Sequence, residues 1–216
     1  MNTEFARRQM VEQQIRTFEV FDARVLDVLR ELPREEFVPS VFRDLAFADT
    51  KIPLGHGQFM MTPTLEGRLL QTLALKPEDE VLEIGTGSGF LCACLARLSR
   101  KVESVDLFPD FTAAAGRVLK STGIDNVTLA TMDATRELPE GAFDAIAVTA
   151  SCPTFDTRFL DALRPNGRLF IIVGRSPVMD AQLVIREPGG KARVTSVLET
   201  DVLPLLNAAT PPAFRF

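Results

Sequence analysis

The sequence predicts an α/β protein with a mostly parallel, seven-stranded sheet, helices on both of its faces, N-terminal helices and a C-terminal antiparallel hairpin. The first observation is residues 80–84, a β-favouring run that breaks into a glycine-rich turn and continues as a helical pattern over residues 90–98. The second is that strand-like and helical patterns keep alternating along the chain. The third is a pair of strand-like segments, 182–186 and 192–198, separated by the turn residues Pro188-Gly189-Gly190.

The N-terminal quarter is predicted to be helical and then irregular. Apolar spacing indicates helices over residues 3–16 and 20–32, and Pro33 ends the second because its ring cannot continue a helix without losing a hydrogen bond. A proline and two glycines punctuate residues 49–61, which predicts an ordered loop or hairpin.

The remaining elements complete the predicted sheet and its covering helices. Gly123 marks the end of the helix that follows the second strand. The predicted strands after the glycine turn are 102–106, 126–132, 143–149 and 167–173, and the helices between them are 108–121 and 156–163.

Gly85, Gly87 and Gly89 form a G-x-G-x-G turn between the first parallel strand and its helix. Glycine lets the backbone adopt positive φ and lets a ligand approach the main chain without meeting a Cβ. Open α/β sheets bind ligands at the carboxyl ends of their strands. The turn therefore predicts a nucleotide or nucleoside site, and a tight turn without a ligand is the alternative.

Two acidic residues indicate which nucleoside binds. Asp106 ends the next strand and is placed to accept hydrogen bonds from ribose hydroxyls, which fits both NAD and S-adenosylmethionine. Glu83 precedes the first glycine and would repel the pyrophosphate that a G-x-G-x-x-G fingerprint holds. The same carboxylate would suit the ammonium group of an amino-acid-bearing nucleoside. The pattern therefore favours S-adenosylmethionine over NAD.

A further helix is predicted to begin at Thr62-Pro63. Thr62 suits the N-cap position and Pro63 the first helical position. The free N–H groups of this first turn would face an anionic group, for which the methionine carboxylate of the cofactor is a candidate. The alternative is a capped surface helix without a ligand.

Composition sets the outer limits of the prediction. A chain of 216 residues that is 46% hydrophobic can bury one large core, so we expect a single domain over residues 1–216, with a helical cap and loop over 1–60, a core over 61–206 and a tail over 207–216. The net charge of −5 leaves no basic surface for phosphates, so no nucleic acid partner is expected. A polar N-terminus and the lack of a long apolar run argue against a signal peptide or membrane span, and we expect a cytoplasmic protein.

Cysteine and histidine usage argues against metal and hydrolase chemistry. Cys92, Cys94 and Cys152 are an odd number without a secretory signal, so no disulfide framework is expected. Cys92 and Cys94 point apart on one helix, which fits core packing better than metal binding. His56 is the only histidine and lies in a glycine loop without a nucleophile elbow. We therefore expect no metal site.

Several motifs together resemble one family. The glycine turn alone is typical of class I methyltransferases, whereas the loop around Gly55 and the Val-Thr-Ala of residues 148–150 are similar to the protein-L-isoaspartate O-methyltransferases. The resemblance extends over about residues 8–206. The segments that carry it are residues 37–39, 46–49, 54–58, 81–90, 143–150 and 163–169.

The resemblance implies a Rossmann-like class I methyltransferase that uses S-adenosyl-L-methionine. It further implies that the N-terminal helices cover the cofactor and that the loop and helix start at Thr62 hold an isoaspartyl carboxylate. It also implies that Asp133 binds the adenine amino group beside the Ala134 N–H; Ala134 and Glu137 replace family glycines, so this loop is expected to have a different shape. We expect a monomer or weak homodimer. The implied cofactor-binding residues are Glu83, Gly85, Thr86, Gly87, Gly89, Asp106, Leu107, Asp133, Ala134, Thr62 and Thr64, and the implied catalytic positions are Met61, Thr62 and Thr149.

The acceptor loop departs from the family pattern. The family loop reads Gln-Thr-Ile-Ser-x-Pro, whereas Phe59 here replaces the threonine and Met61 replaces the catalytically placed serine. Neither side chain can donate a hydrogen bond to a carboxylate, and burying a charged acceptor without donors is costly. Thr62, Thr64 and backbone amides are the candidates to compensate. Four hypotheses stay open: isoaspartyl methylation, methylation of a more apolar small molecule, a cofactor-binding module without turnover, and a dehydrogenase.

Overall fold

A computed structural model describes residues 3–209, so residues 210–216 of the predicted tail lie outside the described residues. The helices are α1 Thr3–Gln9, α2 Ala23–Glu31, α3 Pro63–Leu73, α4 Phe90–Leu98, α5 Pro109–Ser121 and α6 Thr157–Asp161. A π-helical segment, Met10–Ile15, continues α1, and 3₁₀ segments lie at Arg16–Phe18, Arg34–Glu36 and Ser40–Leu45. The strands are β1 Ile52–Gly55, β2 Gln58–Met60, β3 Glu80–Ile84, β4 Lys101–Asp106, β5 Val127–Thr131, β6 Phe143–Cys152, β7 Leu163–Arg175, β8 Val178–Arg186 and β9 Ala192–Thr200.

Seven strands form one sheet in the order β5-β4-β3-β6-β7-β8-β9, and β1 pairs with β2 in a separate hairpin. The pairs from β5 to β7 are parallel, whereas β8 and β9 are antiparallel to their neighbours. The predicted fold is confirmed. The chain leaves β3 toward β4 on one side and returns to β6 on the other, so the sheet has its topological switch point between β3 and β6.

Some elements differ in length from the prediction because of tertiary contacts. Strand β6 continues past Thr149, because the Ser151 N–H donates to the Leu203 carbonyl (2.9 Å) and the Ser151 carbonyl accepts from the Leu205 N–H (2.7 Å). Helix α2 begins at Ala23 because the Asp22 carboxylate caps it. Residues 201–206, the closing segment, therefore lie against the end of β6.

Side chains of the central strands alternate between two buried layers. Val81 of β3 packs with helices α2, α3 and α4 on one face, whereas Leu82 and Ile84 pack with Phe159 of α6 on the other. This alternation with both faces buried is typical of parallel sheets covered by helices. Within residues 3–209, no helix has the length and apolar character that a membrane span requires.

The buried Arg34 ties the N-terminal cap to the core. Its guanidinium donates to the Ala46 carbonyl (2.9 Å) and the Met61 carbonyl (2.8 Å), pairs with the Glu66 carboxylate on α3, and lies 4.6 Å from the Phe90 ring centroid. Both partners of the pair are almost completely buried, and burial raises the pKa of Glu66 to about 7 against the lowering effect of Arg34. Arg34 thus fixes the backbone just before α3.

We expect Arg34→Met to lower the free energy of unfolding by about 3–5 kcal/mol, because it leaves a buried carboxylate and two carbonyls without their donor. Urea unfolding at pH 8 measures this loss. Arg43→Met is the matched control, because Arg43 forms an exposed pair with Glu36 at 3.6 Å. An Arg34 variant as stable as the control would contradict the anchoring role.

Candidate functional site

A cavity opens at the carboxyl ends of β3, β4 and β6, between the turn after β3, the β1–β2 hairpin and residues 198–206. The space of about 1290 Å³ that these elements surround includes the opening to solvent. Glu83, Thr86 and Gly89 do not line it. The predicted site residues that do line it are Met61, Thr62, Thr64, Gly85, Gly87, Asp106, Leu107, Asp133, Ala134 and Thr149.

The turn after β3 presents bare backbone to this cavity. Gly85 has a φ of 101° and Gly87 a φ of 49°, which L side chains rarely adopt. A Cβ on Gly85 would overlap the Thr149 hydroxyl, and one on Gly87 would lie 3.2 Å from Leu54 on the opposite wall. Thr149 and Leu54 therefore leave no space for a side chain at these two positions, and the backbone of the turn itself lines the cavity.

Asp106 holds the turn and faces the cavity. One carboxylate oxygen accepts the Gly87 N–H at 2.8 Å and the other accepts the Phe108 N–H at 3.0 Å. Burial raises the pKa of Asp106, and these two N–H groups oppose that shift. Each carboxylate oxygen can accept a further hydrogen bond, so Asp106 can also bind ligand hydroxyls.

The prediction that Glu83 points into the cavity is wrong. Side chains alternate along β3, so Glu83 shares the face of Val81 and lies beneath α4, fully buried. One carboxyl oxygen accepts from the Ser104 hydroxyl at 2.5 Å, and the Ser104 hydroxyl lies 2.6 Å from that of Thr86. Burial raises the pKa of Glu83 to about 8, although Ser104 and Cys92 lower it. A neutral Glu83 therefore supports the turn from below.

Asp133 and Ala134 lie at the end of β5 and line the cavity. One Asp133 oxygen accepts from the Thr135 hydroxyl (2.6 Å), and the other accepts from the Asn207 side chain (2.9 Å). Partial burial opposes ionisation, but these bonds and Arg136 keep the pKa of Asp133 below its ordinary value. The N–H groups of Arg136 and Glu137 donate to the Asp133 carbonyl at 2.9 and 3.1 Å and close the loop as a tight turn. The assignment of Asp133 to adenine stays a prediction.

The N-terminus of α3 has fewer free donors than predicted. The Thr62 hydroxyl caps the helix by accepting the Leu65 N–H at 3.4 Å, as expected. The Thr64 N–H and hydroxyl both donate to the Asp49 carboxylate, at 3.2 and 2.8 Å. Pro63 has no N–H, so the first-turn donors that the prediction assigned to a ligand carboxylate are already engaged.

The predicted catalytic positions Met61 and Thr149 lie on different elements of the cavity wall. Thr149 lies within β6, and its hydroxyl donates to the Ile84 carbonyl (2.9 Å) and lies 3.1 Å from the Gly85 carbonyl, so it supports the glycine turn. Met61 and the 44%-exposed Phe59 present apolar surface to the cavity. The site thus has a polar end at Asp106 and Asp133 and an apolar end at the hairpin.

Sequence reasoning missed the aromatic wall of the cavity. The His56 ring stacks on Phe108, which lines the cavity, at a centroid distance of 4.1 Å and an interplanar angle of 6°. The His56 Nε2 lies 2.9 Å from an Asp110 oxygen, which fixes the hairpin tip to the start of α5. Phe108 could have been predicted to line the cavity because it lies two residues after Asp106. No local sequence pattern indicated that residues 198–206 line the cavity.

Three strand ends define this site: a glycine turn after β3, an acid after β4 and an acid after β5, around one cavity at the switch point. This arrangement is that of a class I S-adenosylmethionine-dependent methyltransferase. The family model described as protein-L-isoaspartate(D-aspartate) O-methyltransferase matches residues 5–210. The chain belongs to this family.

Relatives and solved structures agree with that placement. A protein-L-isoaspartate O-methyltransferase of Roseiflexus castenholzii is 36% identical over 203 residues, covering 93% of this chain and 91% of the relative. One from Methanoculleus marisnigri is 37% identical over 184 residues, covering 85% and 84%. A crystal structure of a Plasmodium falciparum homologue described as a complex with S-adenosyl-L-homocysteine has a TM-score of 0.81 at 20% identity, covering 95% of this chain and 98% of that one. At this identity the structural match supports the fold.

We expect Glu83→Gln to stabilise the protein increasingly as the pH rises. The folded state keeps a proton on Glu83 up to about pH 8, whereas the unfolded state releases it near the ordinary value of 4.5. Between these values the wild-type protein loses about 1.4 kcal/mol of stability per pH unit, and the glutamine variant does not. Urea unfolding from pH 5 to 9 measures the difference. Glu103→Gln on β4 is the partly exposed control, and parallel pH curves for Glu83→Gln and the wild type would refute the buried neutral carboxyl.

Asp106→Ala should weaken S-adenosylhomocysteine binding by about 1–3 kcal/mol, because the turn loses its acceptor and the ligand loses a charged partner. Isothermal titration measures the affinity. Asp110→Ala is the control, since this neighbouring acid pairs with His56 and does not line the cavity. Equal affinities for the two variants would remove Asp106 from the site.

Proposed function

We propose that this protein transfers the methyl group of S-adenosylmethionine to the carboxylate of isoaspartyl residues in damaged proteins or peptides. The observation that carries the proposal is a single cavity in which the backbone cradle beside Asp106 continues into the family's acceptor loop at Phe59 and Met61. Membership of the family supports the same acceptor.

The residues present fit the cofactor. The turn of Gly85 and Gly87 presents its main chain to the cavity, and Asp106 offers acceptors for ligand hydroxyls. Leu107, Phe108 and Ala134 provide the apolar walls that an adenine ring requires. When bound, S-adenosylmethionine supplies a methyl group on a positively charged sulfur.

The acceptor chemistry explains why the site needs no general base. A carboxylate with a pKa near 4 is already ionised at neutral pH, so no proton has to move. Methyl transfer to a carboxylate neutralises opposite charges, which a cavity that excludes water favours. The protein's contribution is therefore to align the acceptor oxygen with the methyl carbon and the sulfur and to keep water away from these atoms. Phe59 and Met61 of the hairpin and Leu203 of the closing segment contribute apolar lining to the cavity.

The apolar end of the cavity favours a second candidate, a methyltransferase for a more apolar small acceptor. Phe59 and Met61 replace the two hydroxyl residues of the family loop, and Phe18, Leu203 and Leu206 add further apolar lining to the cavity. A cofactor-binding module without turnover is the third possibility. These candidates share the cofactor site and differ in the acceptor.

Incubation with methyl-labelled S-adenosylmethionine and an isoaspartyl peptide tests the proposal, with the matched aspartyl peptide as control. We expect label in the isoaspartyl peptide alone, released by mild base as expected of a methyl ester. Titration with S-adenosylhomocysteine and with NADH separates cofactor classes. Tight S-adenosylhomocysteine binding without methylation of the peptide would refute the isoaspartyl acceptor.

Met61→Ser should raise kcat/KM for the isoaspartyl peptide about tenfold or more, because a hydroxyl bonded to a charged acceptor contributes about 1.5–3 kcal/mol. Steady-state methylation assays measure the change. Met61→Ala is the matched control, since it creates the same space without a donor. An equal rise in kcat/KM in both variants would mean that the smaller side chain, and not the hydroxyl, causes the effect. No rise in either variant would indicate that other groups in the site bind the acceptor.

A further inference from the structure

The acceptor end of the cavity lacks the family's hydroxyl donors but contains a cation. Of the described residues that line the cavity, Lys51 alone carries a positive charge. Lys51 immediately precedes β1 and lies on the hairpin that also carries Phe59 and Met61. The charge is therefore on the element where the hydroxyls are missing.

The register of the hairpin places Lys51 opposite Met61. Ile52 pairs with Met60 and Pro53 with Phe59, so one step further along the two chains brings residues 51 and 61 together. Opposite residues of an antiparallel pair point to the same face, and their Cβ atoms lie about 4.5–5.5 Å apart. Ile52 is buried and does not line the cavity, whereas Lys51, Met60 and Met61 all line it.

The ammonium group of Lys51 is oriented but not neutralised. Its Nζ donates to the Asp201 carbonyl at 2.7 Å, which holds the side chain toward the closing segment. Within residues 3–209 it forms no ion pair at salt-bridge distance. An ammonium has three donors, so two remain for a ligand.

The acids nearest to Lys51 do not remove this capacity. Glu199 and Asp201 line the same cavity and are exposed to water. The Asp201 carboxylate lies 3.5 Å from the Ser176 hydroxyl, and Lys51 contacts the backbone of Asp201. Glu199 and Asp201 are solvated and form no direct ion pair with Lys51. An entering carboxylate could therefore bind the ammonium group without first breaking such a pair.

We infer that Lys51 binds the carboxylate of the methyl acceptor, taking over the contact that the family's threonine and serine hydroxyls make. This inference rests on the proposed function and identifies the acceptor of this site as an anionic carboxylate held by charge. The hairpin has exchanged two neutral donors at 59 and 61 for one cation at 51. Lys51 is exposed to water, so dissolved salt can screen its attraction for the acceptor carboxylate.

Lys51→Gln should raise KM for the isoaspartyl peptide about tenfold, which corresponds to about 1.4 kcal/mol of acceptor binding. The change in kcat should be smaller, because the acceptor loses its charge during methyl transfer and the contact is weaker in the transition state. Lys51→Arg should keep KM within about threefold of the wild type, since the charge is retained. Added salt should raise the KM of the wild type more than that of Lys51→Gln.

Lys120→Gln is the matched control, because it removes one exposed lysine from α5 outside the cavity. S-Adenosylhomocysteine titration verifies that each variant is folded and binds the cofactor. In the Met61→Ser background, Lys51→Gln should raise KM for the isoaspartyl peptide by a smaller factor than in the wild-type background, because the new hydroxyl replaces the lost donor.

Two outcomes separate failure of the inference from failure of the proposed function. A wild-type enzyme that methylates the peptide while Lys51→Gln matches Lys120→Gln in KM would overturn the role of Lys51 and leave the proposed function intact. A wild-type protein that binds S-adenosylhomocysteine but does not methylate isoaspartyl peptides would overturn both.

Discussion

The hydrogen bonds between the end of β4 and the turn after β3 are the interaction on which the site depends. Glycine allows the backbone at residues 85 and 87 to adopt positive φ, but the Asp106 carboxylate and the Val105 carbonyl fix it by accepting the N–H groups of Gly87 and Gly85 at 2.8 Å each. Both acceptors come from β4, so the in-register pairing of β3 with β4 sets the shape of the cradle. The same carboxylate that holds the turn faces the ligand, which links fold and cofactor binding in one group.

A second, buried set of contacts positions the acceptor loop. Arg34 lies in the cap, yet it bonds the carbonyl of Met61 and the carboxylate of Glu66, so one buried side chain joins the cap to the end of the hairpin and to α3. On the far side, the closing segment pairs with Ser151 and covers the end of β6. The acceptor end is thus enclosed by parts of the chain distant in sequence. This arrangement suits a reaction in which alignment and exclusion of water, and no proton transfer, supply the rate.

The parts of the fold and site predicted from sequence are those with local causes. Residues 80–98 specify strand, turn and helix through apolar spacing and glycine, and Thr62-Pro63 specifies a helix start through capping chemistry. The direction of the Glu83 side chain was not predictable in this way. A carboxylate beside a glycine turn is expected to face a ligand, and only the structure shows that α4 covers the face of β3 on which Glu83 lies. The donors of α3 were likewise assigned to a ligand, because the approach of Asp49 from 15 residues away has no local signature.

By itself the sequence determined the class of fold and the family, and through the family the cofactor, because each depends on residues adjacent in the chain: the glycine spacing, the acid at the end of the next strand, and the hairpin motif. Tertiary structure alone decided which of these residues touch the cavity. It buried Glu83 as a neutral support, turned the Thr149 hydroxyl onto the backbone and brought residues 198–206 and Lys51 to the acceptor end. The physical reason is that side-chain direction and burial depend on strand pairing and helix packing, which join residues far apart in sequence.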